Sequence, residues 1–436
     1  MAHTITSIGG SSSFDNNTSL NASLVTDDHR AGLYVFGQNR HRDAYDHDGD
    51  GYSEMPKLKN QTVGFRSFLK TSTYSKLTFE YHHLQEFRRG GNMLNRPPHE
   101  ADIAEQIQHS INGGGLKFDY FAPNEKHRLT LYTSAQHTDR DSYYGSKKDL
   151  NAYGKTTDLT FIGGSQYVYS FDKCLFMPAD LTAGLEYNRD NLKDDMWGYN
   201  RYTRQTVNIG SAFFQNEWKN EKWSILLGGR LDKHNLINHV IFSPRANLRF
   251  NPTQDVNLRL SYSSGFRAPQ AFDEDLHIEN VGGTVSMIER AKNLKEEKSQ
   301  SFSASADMYH RFGAFQVNFL VEGFYTKLSD VFVLENIGVR DGILIKERRN
   351  GSGAKVLGLS MEGKMAYLSL FQLQAGVTLQ QSRYDEPEKW SETAPAQKKI
   401  FRTPNTYGYF TATYTPVKPL SVSLSGTYTG CLLYTS

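Results

Sequence analysis

Apolar and polar side chains alternate along this chain from end to end, and no segment sustains a helical period. In Phe315–Tyr325, for instance, Phe315, Val317, Phe319 and Val321 fall on one face, and Gln316 and Asn318 on the other. Leu129–Thr133, Asn257–Tyr262 and Ser421–Tyr428 show the same zigzag. Such a pattern folds into strands with one greasy side and one wet side. The expectation is an all-β chain, antiparallel, with roughly 18 strands long enough to cross a bilayer obliquely.

The connections alternate in length. Short ones lie near Asp28–Arg30, Ser72–Ser75, Pro123–Lys126, Asp172–Pro178, Lys219–Lys222, Asn251–Gln254, Arg311–Gly313, Leu368–Leu370 and Pro416–Pro419. Between them run long polar stretches at 37–60, 87–106, 138–157, 190–205, 265–298, 328–350 and 382–402, with 232–241 intermediate. Tight turns at one rim and long loops at the other are the topology of a transmembrane β-barrel. A soluble sandwich has no reason to keep that alternation, and a solenoid would need a recurring motif that is absent.

Composition fits. Mean hydropathy is −0.58, low for a chain with a large dry core, yet there are 25 Tyr and 26 Phe. Lipid on one side of each strand, water on the other and aromatic girdles at the two interfaces reconcile the two. No apolar run reaches the length of a transmembrane helix. The formal charge of +2 shows no clustered basic face of the kind nucleic acid requires. Cys174 and Cys431 form neither a metal motif nor a disulfide framework.

The strand Asn257–Tyr262 runs into Ser261–Gln270 (SYSSGFRAPQ), and the next begins at Asn293–Ser299 (NLKEEKS). This pair of segments resembles the late-barrel signature of TonB-dependent outer-membrane receptors, a "GFRAP" strand end and an "NLKPE(K)S" strand start bracketing a long outer loop. Glu296 stands where the family has proline. The resemblance implies a barrel of about 22 strands, preceded by a plug and a short box that pairs with TonB. Neither is visible here, and no signal peptide appears at Met1, so residues 1–430 read as the barrel domain alone. Cys431–Ser436 break the alternation and read as a non-native tail.

Four groups of residues are candidates for function. Asp46, Asp48, Asp50 and Glu54, with Gly51 at the turn, place carboxylates at alternate positions, as a calcium loop does. Lys57 occupies the position of the closing glutamate of an EF-hand. The segment resembles instead the outer-loop calcium site of cobalamin receptors; the competing reading is a solvated acidic turn. His99 and Glu100, in a stretch (97–105) similar to receptors of gut Bacteroidetes, could contact substrate or belong to a polar helical turn begun by Pro98. Tyr143, Tyr144, Trp197, Tyr199 and Trp390 could stack on substrate or form a girdle. Arg230, Asp232, Arg245, Arg259 and Arg267 should face the lumen and hold a plug, or line a solvated wall.

No catalytic motif is present. The resemblance implies energised uptake of a bulky metal chelate, a corrinoid or a ferric siderophore. The expected partners are a TonB–ExbB–ExbD complex, the chelate, outer-membrane lipid and, as a further allowance, a surface lipoprotein. The expected location is the outer membrane of a Gram-negative bacterium of Bacteroidetes type. A porin-like diffusion barrel and a calcium-dependent surface-binding barrel without transport stay open.

Overall fold

The structure, a computed structural model, describes residues 2–8, 11–276, 285–389, 395–400 and 403–430. Its strands are β1 (Ala2–Ile8), β2 (Ser11–Val25), β3 (Ala31–Arg42), β4 (Ser53–Ser72), β5 (Ser75–Gly91), β6 (Ile103–Phe121), β7 (His127–Ser146) and β8 (Tyr153–Cys174). They continue as β9 (Met177–Met196), β10 (Arg201–Lys219), β11 (Trp223–His234), β12 (Val240–Thr253), β13 (Val256–Arg267), β14 (Ser286–Arg290), β15 (Glu297–Phe312) and β16 (Phe315–Ser329). The last are β17 (Phe332–Arg340), β18 (Ile343–Asn350), β19 (Ala354–Tyr367), β20 (Phe371–Glu388), β21 (Gln397–Lys399), β22 (Thr406–Val417) and β23 (Leu420–Thr429).

Twenty of these form one sheet in which each long strand pairs antiparallel with its neighbours in sequence. Two excursions interrupt the meander: β14 lies between β13 and β15, and β17–β18 between β16 and β19. These three make a separate small sheet, with β14 parallel to β18. Among the described residues no register joins β1 to β23.

Register assigns the faces. Because side chains alternate, directly paired residues share a side. Following the pairs from strand to strand, Leu20, Val35, Val63, Phe79, Leu116, Leu131, Phe161, Leu185, Phe214, Leu227, Phe242, Leu260, Phe302, Phe319, Leu359, Leu379, Phe410 and Leu424 all fall on one face, and all are exposed. A soluble protein would not leave such a surface open; hydrocarbon accepts it. The opposite face carries cross-strand polar pairs such as Thr130–Asp119, Ser301–Thr326 and Ser360–Thr378.

The tight turns lie where expected, several of them with a residue at positive φ, as at His29, Leu175, Gly313 and Leu368. The long stretches need correction. Residues 87–106, 138–157 and 190–205 are mostly strand: β5–β10 run 17 to 22 residues, leaving only short connections outside the ladders. Likewise β4 begins at Ser53, inside the 37–60 stretch, and β20 runs on to Glu388. Above the bilayer both faces meet water, so the alternation that marks a strand is lost while its hydrogen bonds persist. Trp390 and residues 431–436 lie outside the described residues, as does any test of the tail.

Candidate functional site: the inner wall and its outer rim

The polar face carries all five candidate wall residues. Arg230 and Asp232 sit on β11, Arg245 opposes Gly228, and Arg259 and Arg267 follow on β13 at the same parity, opposite Leu258 and Leu260. Arg230 is the centre of a network across β7–β11. Its Nε donates to Asp232 Oδ1 at 2.7 Å, and its Nη2 donates to Glu186 Oε1 at 2.8 Å and to Ser211 Oγ at 2.7 Å. Tyr132 gives its hydroxyl to the other Glu186 oxygen at 2.6 Å. Tyr132 reaches that far because it lies over Gly164, where a Cβ would come within 2.5 Å of the ring. Arg245 is exposed, and Arg259 donates from Nε to Asn257 Oδ1 at 2.7 Å. Arg249 stands directly opposite Arg259 on this face, a like-charge pair.

Higher up, a second chain of bonds runs along the rim. Arg140 donates to Thr156 at 3.1 Å, Thr156 to Asp194 at 2.6 Å, and Arg201 to the other Asp194 oxygen at 2.6 Å. The same Arg201 guanidinium donates to the main-chain oxygens of Asp275 and Leu276. Gln205 Oε1 accepts from Ala271 N at 2.8 Å and from Arg290 at 2.5 Å. Arg348 of β18 binds Asp275 at 2.5 Å, both being almost fully buried. Phe272 is held between guanidiniums, 3.7 Å from that of Arg267 and 5.1 Å from that of Arg348. The segment after β13 is thus strapped across the polar face to β10, three strands away, which puts that face on the inside of the curve. Nearby, on the upper extensions of β8 and β9, Asp158 and Asp190 also face inward. Burial and the adjacent Asp158 carboxyl push Asp190 up to about 7.

The acidic loop after β3 is compact. Asp46 Oδ1 and Oδ2 accept from Gly49 N at 2.7 Å and Gly51 N at 2.9 Å, and both glycines have positive φ. Glu54 Oε2 accepts from His47 N at 2.6 Å, and Asp50 Oδ1 from Tyr52 N at 2.8 Å. One carboxylate oxygen from each of Asp46, Asp48, Asp50 and Glu54 lies within 4.8 Å of the others. An all-oxygen set with that spread suits a calcium ion, whose ligands stand about 2.3–2.6 Å from the metal.

The remaining candidates separate. Tyr143 is 1 % exposed, packs edge-on against Tyr153 at 4.8 Å between centroids, and donates its hydroxyl to the Asp149 main-chain oxygen at 2.9 Å. Tyr199 donates to the Asp149 carboxylate, and His99 shares a 2.8 Å hydrogen bond with the Tyr153 hydroxyl. With Ala101, Ala104 and Ala152 these side chains form a small dry core beneath the apical connections. Tyr143 and the ring nitrogen of His99 are therefore engaged within the protein. Tyr144 is buried, whereas Glu100 and Trp197 are exposed.

Sequence reasoning did not single out Tyr132, Glu186, Ser211, Asp194, Arg201 or Arg348. Each sits on a different strand from its partner, and only register brings them together. Parity would have placed Glu186 on the wet face, since it follows Leu185; it does not reveal which arginine the carboxylate meets.

The family described as TonB dependent receptor-like, beta-barrel matches residues 4–432. No curated protein matches. Among solved structures, the siderophore receptor PirA from Acinetobacter baumannii superposes with a TM-score of 0.75 at 14% identity, over 95% of this chain and 65% of that one. A ferric enterobactin receptor variant from Pseudomonas aeruginosa, in complex with enterobactin, gives 0.74 at 15% identity over 98% and 67%. The siderophore receptor PirA from Pseudomonas aeruginosa gives 0.71 at 12% identity over 96% and 69%. The chain spans about two-thirds of the length of these receptors. Register, the two-faced sheet and the matched residues agree: the chain belongs to the TonB-dependent receptor-like β-barrel family, receptors of the Gram-negative outer membrane and not enzymes.

Proposed function

We propose that this barrel is the wall and capture rim of a receptor that takes up a bulky metal chelate with energy from a TonB–ExbB–ExbD complex. The observation that carries the reading is the inner face. It is polar and hydrogen-bonded from Tyr132 to Asp232, and the inward arginines Arg245, Arg249, Arg259 and Arg267 along β12 and β13 suit an anionic cargo or a plug that answers their charge. The solved relatives named for siderophores support a ferric chelate. The acidic loop supports a corrinoid, by its likeness to the cobalamin receptors. Bacteroidetes origin rests on the 97–105 stretch alone, the structural relatives being from Pseudomonas and Acinetobacter.

Cells deleted for the complete gene, and the same cells restored, should differ in uptake of radiolabelled ferric catecholate or cobalamin, and a protonophore should abolish the difference. Equal uptake of both would refute the reading; uptake that survives the protonophore would favour a passive diffusion barrel. In the second reading, calcium bound by Asp46, Asp48, Asp50 and Glu54 orders the first outer loop. Calcium should raise protease protection of residues 43–56 in the wild type and leave Asp48→Asn/Asp50→Asn unchanged. Equal protection with magnesium would point to a solvated acidic turn.

A further inference from the structure

On the outward face, three adjacent strands change character at the same height. Counting from the tight turns, β16 presents Phe315, Val317, Phe319, Val321, Gly323 and Tyr325, then Lys327. On β19 the run is Tyr367, Met365, Gly363, Met361, Leu359 and Leu357, then Lys355. On β20 it is Phe371, Leu373, Ala375, Val377, Leu379 and Gln381, then Arg383. Some eleven residues of tilted strand rise about 25 Å, the thickness of the apolar band of an outer-membrane barrel. The cations therefore stand at the headgroup level of the outer leaflet.

They also stand side by side. Lys327 pairs directly with Lys355, Lys355 with Arg383, and Arg383 with Lys399 of β21. Like charges directly opposite one another destabilise a sheet, and here four occupy one row. Asp385 meets Lys355 at 2.8 Å and answers one of them. Elsewhere on this rim the cations are interleaved with acids: Lys155 opposes Asp195, which Arg204 contacts at 2.5 Å.

Directly below the row, the outer face is hollowed into an apolar trough of about 1330 Å³. Its floor is Ala304 and Gly323, which pair directly, and its walls include Leu260, Phe302, Leu357 and Leu379. A Cβ added at Gly323 would meet nothing within 4 Å. Acyl-sized space under a cationic shelf is the shape of an anionic lipid.

We propose that the outer face of β16, β19, β20 and β21 binds a phosphate-bearing glycolipid of the outer leaflet, its phosphate on Lys327, Lys355, Arg383 and Lys399 and an acyl chain in the trough over Ala304 and Gly323. The inference rests on the barrel standing in an outer membrane and is independent of the cargo.

The test is native mass spectrometry of the complete receptor released from detergent micelles, with three probes: bisphosphorylated lipid A, the same lipid after phosphatase treatment, and phosphatidylglycerol. The wild type should retain lipid A over both others. Lys327→Gln/Lys355→Gln/Arg383→Gln should lose about a hundredfold in lipid A affinity, the loss expected for three basic side chains at an anionic surface. Lys57→Gln/Lys59→Gln, elsewhere on the outward face, should bind as the wild type does. Gly323→Leu, which fills the trough, should weaken retention several-fold with the cationic row intact. Heat-modifiable gel mobility establishes that each variant is folded. Undiminished binding by the triple variant, or equal retention of the dephosphorylated lipid, overturns the phosphate shelf. Equal retention of phosphatidylglycerol overturns the glycolipid, and an unaffected Gly323→Leu overturns the trough.

Discussion

Tyr143 offers a sharp test because a stacking platform for cargo and a rivet between loops predict different losses. The side chain is 1 % exposed, packed among Ala101, Ala104, Ala152 and Tyr153, with its hydroxyl donated at 2.9 Å to Asp149 O. Tyr143→Phe removes one hydrogen bond, worth about 1 kcal/mol, and should speed amide exchange in 147–152 about fivefold. Tyr143→Ala empties a buried aromatic site, a loss of about 3–5 kcal/mol. Exchange in 92–102 and 147–152 should then rise by two to three orders of magnitude, up to the limit set by the loops' own stability. Amide exchange read by mass spectrometry on the detergent-solubilised receptor separates these segments from the ladders below, which should keep wild-type protection. If Tyr143→Ala lowered cargo affinity while both loops kept their protection, the rivet assignment would be wrong.

Three further outcomes follow from the wall and rim. Gly164→Ala places a methyl 2.5 Å from the Tyr132 ring and should cost about 1–3 kcal/mol, read as a lower midpoint of heat modifiability; combined with Tyr132→Ala, the two losses should be less than additive, and strict additivity would contradict the contact. Arg348→Met leaves the buried Asp275 carboxylate without its partner and should expose residues 268–276 to protease, at a local cost of about 3–5 kcal/mol; protection equal to wild type would refute the strap. Asp190, raised from 3.8 to about 7, favours the protonated form in the folded rim, so its stabilising contribution is present below about pH 4 and is lost as pH climbs to 7; exchange at the tops of β8 and β9, corrected for intrinsic rate, should rise over that window in the wild type and flatten in Asp190→Asn.

What was legible in the sequence was the part that lipid dictates. A strand whose neighbours are hydrocarbon and water must alternate, so Phe315–Tyr325 announces both its secondary structure and its two faces, and Arg259 is assigned inward simply by standing between Leu258 and Leu260. The tight turns were legible because chain reversal over a few residues needs small, polar or positive-φ residues. The upper halves of β5–β10 were not, because Lys155, Asp195 and Arg204 face water on the outside as surely as Asp194 and Arg201 face it within. Pairings such as Arg348 with Asp275, 73 residues apart, escaped for another reason: a charge reports that it needs a partner, never which one. The Tyr143 core was hidden because a tyrosine above the membrane looks the same whether it greets a ligand or props a loop.

The unequal strand lengths give the opening a direction. β8 has 22 residues and β13 has 12. At the rise and tilt of barrel strands, those ten residues correspond to roughly 25 Å of height. One flank stands over the cell surface as a parapet while the flank near β13 stays low, roofed by the strap at Phe272. Phage tails, antibodies or surface sugars coming from the high side would meet a wall, and a diffusing nutrient would come in by the low doorway.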